Sequence, residues 1–236
     1  MYYAGWLAEQ RQCHDGYVSD SFEPAPTIPA ATVVLLRDGA SGLEVLMLHR
    51  NSSRGAFAGY WVFPGGKVDA DDADEVAAAV REAEEETGIV VDPLQLVRFS
   101  HWTPPVTEPR RFATWFFLAP ANGAEVKVDD GEIVAFDWLP PGEVLARRDR
   151  GEVNLAPPTF ITLITLAGYA SVAEAMEATR AADHEVFFTT ARRTEAAMVV
   201  VWHPDVAVDP DVALDAPGRR HRIVITSDTP WIYERS

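Results

Sequence analysis

The densest chemical feature of this sequence is a trio of carboxylates. Glu82, Glu85 and Glu86 stand at i, i+3 and i+4 within Arg81-Glu82-Ala83-Glu84-Glu85-Glu86-Thr87-Gly88. On a helix that spacing gathers their side chains on one face. The placement runs against electrostatics. The C-terminal end of a helix carries the negative end of its dipole, where acids are disfavoured, and Glu82 and Glu86 repel as an i,i+4 pair. Such a cluster asks for a counter-charge, and hard divalent cations such as Mg²⁺ or Mn²⁺ take oxygen ligands of this kind. The bland alternative is a solvated acidic helix face, a common feature.

The elements around the trio can be read from pattern. Residues 73–87 read as a helix closed by Gly88 as a C′ residue. Val76, Val80 and Ala83 form a stripe that packs on a sheet while the carboxylates point away. Asp69, Asp71, Asp72, Asp74 and Glu75 near the helix start are favoured by the dipole. Upstream, Pro64-Gly65-Gly66 is a tight turn where backbone can approach a ligand closely. Residues 31–37 and 43–50 read as strands joined by the turn residues 38–42. Further strands are expected at 60–63, 94–102, 112–118, 133–139, 198–202 and 222–226. Residues 140–150 form a short helix, and 159–182 two helical pieces. The order predicts mixed α and β around a largely antiparallel or mixed sheet.

Gly66 followed by Arg81-Glu82-Ala83-Glu84-Glu85-Glu86-Thr87-Gly88-Ile89 resembles the Nudix box, Gly-x5-Glu-x7-Arg-Glu-U-x-Glu-Glu-x-Gly-U with U aliphatic. The second half matches, with Ala83 as a small U, and the entry Phe63-Pro64-Gly65-Gly66-Lys67-Val68 is typical of that family. The stretch from Gly66 to Arg81 is one residue longer than the pattern. The first Glu of the box is therefore missing or shifted, with Asp72 or Glu75 as substitutes. The resemblance implies an α/β fold, a Nudix-type α/β/α sandwich with a mixed sheet and a C-terminal helical and strand extension. It divides the chain into an N-terminal arm (1–27), a core (28–150) and an extension packed on it (151–236). It implies Glu82, Glu85 and Glu86 as metal ligands for Mg²⁺ or Mn²⁺, with the Gly66 carbonyl as a further oxygen ligand. Arg81 becomes a structural partner of the glutamates, beside Gly65 and Gly88. The chemistry implied is hydrolysis of a diphosphate linked to another moiety, a small-molecule substrate. Glu132, at the opening of a strand, is the best candidate for the catalytic base; a turn-flanking surface Glu is the alternative.

The substrate reading rests on outer residues. Arg50-x3-Arg54-x4-Gly59-x3-Phe63-Pro64-Gly65-Gly66 resembles the coenzyme A motif of one Nudix branch, with the second Arg one place early. Arg50 and Arg54 could grip phosphates, or be solvated loop arginines. Arg110 and Arg111, beside prolines, read as anion contacts. Trp102 and Phe112 read as core packing rather than stacking surfaces. The layout around His101-Trp102-Thr103-Pro104-Pro105 resembles the branch that cleaves coenzyme A and acyl-coenzyme A. Pro105, about sixteen residues past the box, supports the rival reading of ADP-ribose or nucleotide-sugar cleavage. A non-catalytic Nudix-like binding protein would be expected to lose a box glutamate, and all three are kept.

Composition agrees with a small anionic substrate met through cations. The 236 residues carry 36 acids against 20 Lys and Arg, a formal charge of −16. That charge disfavours a nucleic-acid duplex or an anionic membrane as partner. Cys13 is the single cysteine, so no intrachain disulfide forms, and a reducing, cytoplasmic setting is expected. The start lacks a signal-peptide pattern. The histidines form no zinc spacing with Cys13, and the acids of 69–75 do not fit a calcium-binding EF-hand loop. A homodimer is compatible with the resemblance.

Overall fold

The computed structural model describes residues 24–53, 57–121, 123, 125–128, 131–226 and 230–236. Its spine is β1 (Thr27–Gly39), which turns through Ala40-Ser41 into β2 (Gly42–Arg50). The pair is antiparallel, with Gly39 opposite Gly42. The hairpin expected at 38–42 is present, and β1 begins four residues earlier than its β-branched run, because Thr27 to Ala30 pair with β6.

The main sheet has eight strands in the order β3-β2-β1-β6-β5-β8, with β4 paired to β1 and β7 paired to β2. Here β3 is Trp61–Val62, β4 Gly65–Lys67, β5 Val97–Thr103, β6 Arg111–Pro120, β7 Ile133–Leu139 and β8 Glu185–Phe188. β1 runs parallel to β6, and β5 parallel to β8; the other pairs are antiparallel, so the sheet is mixed.

Alternation along β1 sends side chains to both faces. Ala31, Val33 and Leu35 meet helix α1 (Glu75–Thr87) through its Ala78, Ala79 and Ala83. Val34 and Leu36 face the opposite side, where α2 (Pro141–Asp149), α3 (Pro157–Leu166) and α4 (Val172–Ala181) bring Val144, Phe160, Leu163 and Met176. This is the expected α/β/α sandwich. The helix stripe differs from expectation: alanines, not Val76 and Val80, are fully buried. Short side chains let α1 sit close to the strands, and this draws the carboxylate face down toward the sheet.

Residues beyond 150 build into the same core. α3 and α4 supply much of one helical layer, and β8 extends the main sheet. A second, antiparallel sheet follows in the order β12-β11-β10-β9, from β9 (Thr190–Arg193), β10 (Met198–Val201), β11 (His221–Ile225) and β12 (Ile232–Arg235). Trp102 lies flat on Phe187, ring centroids 3.6 Å apart, and Trp202 meets both edge-on. Trp102 is thus core, as expected. The strand expected at 94–102 instead starts at Val97, because Asp92 accepts from the Leu94 N–H and Pro93 opens a 3-10 turn. No helix among the described residues is long and apolar enough to cross a membrane.

A buried ion pair locks the second sheet. Asp205 accepts from Arg222 Nε and Nη2, both at 2.6 Å, and from the N–H groups of Ala207 (2.8 Å) and His221 (2.9 Å). Burial opposes ionisation of Asp205, but Arg222 and the two N–H groups outweigh it and hold the carboxyl at about 2. A depressed carboxyl contributes stability that is complete above the unfolded value, about 3.9, and is lost as pH falls through the folded value. Asp205→Asn is therefore expected to lower unfolding stability by about 3–5 kcal/mol at neutral pH. It should also flatten the loss between about pH 4 and 2. Denaturant unfolding across pH checks both; an unchanged pH profile would refute the assignment.

Candidate active site

Helix α1 starts where Asp74 caps the Ala77 N–H at 2.9 Å and ends where Gly88, at φ 69°, returns its N–H to the Glu84 carbonyl at 2.8 Å. Its last turn holds no basic residue, so the acids there find their counter-charge elsewhere. Two arginines supply it.

Arg81 spreads its guanidinium over the first half of the site. Nε and Nη2 donate to Asp72 at 3.1 and 2.8 Å, and Nη2 also donates to the Lys67 carbonyl at 3.1 Å. Nη1 donates to Glu82 at 2.8 Å and to Glu85 at 3.0 Å. Asp72 in turn accepts from the Asp69 N–H at 2.8 Å. Of the two substitutes for the missing box Glu, Asp72 is the one in contact with Arg81. The extra residue between Gly66 and Arg81 is absorbed in the 69–74 loop, which this carboxylate ties.

Glu86 is the buried member of the trio. Oε2 accepts from the Gly65 N–H at 3.0 Å, and Oε1 faces Arg50 Nη1 at 3.5 Å. Burial pushes its carboxyl up to about 7, against the pull of the Gly65 N–H and Arg50. Burial also raises Glu82, with Arg81 opposing. The expectation that all three carboxylates point away from the sheet-facing stripe fails at Glu86, which is buried with its Oε2 on the Gly65 N–H. Glu85 remains exposed.

Backbone packing requires the glycine at Gly65, while Gly66 leaves the room that the Glu82 carboxylate occupies. A Cβ on Gly66 would collide with the Glu82 carboxylate, and one on Gly65 with the Ala31 carbonyl and Thr32 Oγ1. β4 lies between β1 and the carboxylates, held by Ala31 opposite Gly66 and Thr32 opposite Gly65.

Glu132 reaches the same cluster through Arg50, whose Nη2 pairs with Glu132 Oε1. Of the four arginines expected at substrate, Arg50 is thus engaged with carboxylates. Arg54 lies outside the described residues. Arg110 is exposed in the turn between β5 and β6. Arg111 donates to the carbonyls of Ala25 (3.0 Å) and Pro104 (3.3 and 3.4 Å), tying the entry of β1 to the end of β5. It pairs with Thr27, four residues from Ala31, or about 13 Å of strand from the Gly66 register.

Among the described residues, no three His, Cys, Asp or Glu side chains form a ready cation cage; Arg81 Nη1 bonds both Glu82 and Glu85. The donor set nevertheless fits a hard divalent cation. Its oxygens come from carboxylates that burial and mutual repulsion leave in want of positive charge, beside a backbone segment kept free of Cβ atoms.

Comparison with known proteins gives the chain's family and fold relatives. The NUDIX domain family matches residues 26–159. Over 91 residues the chain is 34% identical to acyl-coenzyme A diphosphatase NUDT19 of Gallus gallus, covering 36% of this chain and 24% of that protein. Over 94 residues it is 34% identical to the uncharacterized Nudix hydrolase NudL of Citrobacter koseri, covering 40% and 44%. The chain therefore spans less than half the length of these two curated relatives. The crystal structure of a NUDIX hydrolase from Alicyclobacillus acidocaldarius superposes with a TM-score of 0.59 at 25% identity, over 65% of this chain and 96% of that one. With the family matched over more than half of its residues, and the fold and glutamate helix in place, the chain belongs to the NUDIX domain family.

Proposed function

We propose that this protein is a divalent-cation-dependent hydrolase cleaving the diphosphate of a nucleoside diphosphate linked to another moiety, with coenzyme A or an acyl-coenzyme A as substrate class. The observation that carries the reading is the seating of Glu82 and Glu86 against the Cβ-free Gly65-Gly66 segment, with Glu132 drawn to the same cluster. Glu82, Glu85, Glu86 and the Gly66 carbonyl are the groups that would hold Mg²⁺ or Mn²⁺. Such an ion, when bound, neutralises diphosphate charge and lowers the pKa of water.

The chain's own residues do the rest. Arg81, anchored by Asp72, sets the rotamers of Glu82 and Glu85. Glu132 accepts the proton of the attacking water as its oxygen bonds to phosphorus and the bridging P–O bond breaks. The exposed Arg110 offers a cation to the substrate's outer phosphate. Similarity to the Gallus gallus acyl-coenzyme A diphosphatase supports the coenzyme A class. Arg50 lends it less support than its sequence spacing suggests, because both terminal nitrogens are occupied by carboxylates.

The test is a panel of coenzyme A, acetyl-coenzyme A, ADP-ribose, NADH, diadenosine polyphosphates and oxidised dNTPs with Mg²⁺ or Mn²⁺, products read by mass spectrometry. Release of 3′,5′-ADP and a phosphopantetheine is expected. AMP from ADP-ribose with coenzyme A inert would replace the substrate class with the nucleotide-sugar one. Cation binding without any cleavage would leave a non-catalytic binding protein. Glu85→Gln should keep the thermal transition and lose at least about 100-fold in turnover; retained activity would refute the ligand set. Asp72→Ala removes the anchor of Arg81 and should weaken cation affinity by about 10-fold or more, read by titration calorimetry.

A further inference from the structure

Arg50 sits where the sequence suggests a grip on substrate, yet its surroundings are those of a fixed internal strut. It ends β2 just past a shift of register against β7 between His49 and Arg50. Its backbone is held on both sides: the Arg50 N–H donates to the Tyr60 carbonyl at 3.0 Å, and the Arg50 carbonyl accepts from the Gly59 N–H at 3.2 Å. The next residue binds the opposite turn. The Asn51 N–H donates to the Glu132 carbonyl at 2.8 Å, and Asn51 Nδ2 to the Gly131 carbonyl at 3.5 Å.

The side chain is as constrained as the backbone. Its exposure is 13%, and it spans Glu86 at 9% and Glu132 at 53%. Nη1 faces Glu86 and Nη2 pairs with Glu132, while Nε is buried without a partner among the described residues. A half-exposed glutamate left to itself samples many rotamers, and a rigid guanidinium with one terminal nitrogen on Glu132 and the other facing Glu86 restricts them. Without it, Glu132 would be both mobile and repelled by Glu86.

We infer that Arg50 is a positioning residue, a fork that holds Glu132 in its working place beside Glu86, rather than a contact for the substrate's phosphates. The inference rests on the hydrolase reading and on Glu132 as proton acceptor.

A kinetic cycle over Arg50→Gln, Arg50→Lys, Glu132→Gln and the double variant Arg50→Gln/Glu132→Gln tests it, using whichever panel substrate the wild type cleaves. Arg50→Gln should lower kcat by on the order of 100-fold with KM held within about threefold, the pattern of lost transition-state support. Arg50→Lys should recover part of kcat, since one ammonium restores charge without the fork. The double variant should be no slower than Glu132→Gln alone, because the two act as one unit. A KM that rises while kcat holds would overturn the inference and return Arg50 to the substrate. Losses that multiply in the double variant would overturn it as well. Should Arg50→Gln lose its thermal transition, the cycle is read from Arg50→Lys with the same criteria. A wild type that cleaves nothing overturns the hydrolase reading and this inference together. An active wild type with an inactive Glu85→Gln preserves that reading whatever Arg50 does.

Discussion

The contact on which the site depends is the one between two carboxylates and a backbone that has no side chains. Gly65 offers its N–H to Glu86, and Gly66 leaves the space that the Glu82 carboxylate fills. A Cβ at Gly65 would strike the Ala31 carbonyl and Thr32, and one at Gly66 would push the Glu82 carboxylate aside. Both contacts require that β4 be clamped onto β1, which the pairings of Ala30, Ala31 and Thr32 provide. Both also require that α1 lie low on the sheet, which its buried alanines allow. Strand, glycine turn and helix face are therefore a single constraint, met by residues far apart in sequence.

The same seating creates an electrostatic problem, and the arrangement of charge follows from it. Moving Glu86 out of water raises its carboxyl to about 7, and Glu82 rises for the same reason. Two guanidiniums answer that cost from opposite ends of the cluster. Arg81 bonds Asp72, Glu82 and Glu85, and Asp72 first and then Glu82 hold its proton more tightly. Arg50 serves Glu86 and Glu132. With both arginines spent on carboxylates, the cluster still has more acids than bases. In a protein of net charge −16, this cluster concentrates unmet negative charge where its oxygens suit a hard cation.

The legible and illegible parts of the sequence divide along physical lines. The glutamate trio, the glycine turn and the Gly88 cap were readable because each is a local rule: helix periodicity, freedom from Cβ, and a left-handed cap. The β1–β2 hairpin was readable from its turn residues. What was hidden is set by non-local pairing. Nothing near Arg50 in sequence says that Glu132 will lie against it; that follows from β7 pairing with β2. Arg111 reads as an anion contact until Ala25 and Pro104 present it with carbonyls. Asp72 could not be separated from Glu75 by counting, because the choice depends on how the loop absorbs one residue. The four-residue strands β8, β9 and β12 are too short to show a period.

The residues beyond the matched family segment bear on the site through the core. The family match ends at residue 159, inside α3, yet the apolar face of the main sheet opposite α1 is closed by α3, α4 and the second sheet. Trp102 on β5 is covered by Phe187 and Trp202, both from this later segment. β5 is paired to β6, β6 to β1, and β1 to β4, so the glycine turn is the last link of a chain of hydrogen-bonded strands whose far edge is β8. A sheet covered on both faces transmits displacement rather than absorbing it. Among the described residues the later segment thus packs the platform on which Gly65 and Gly66 meet their carboxylates, without touching those carboxylates itself.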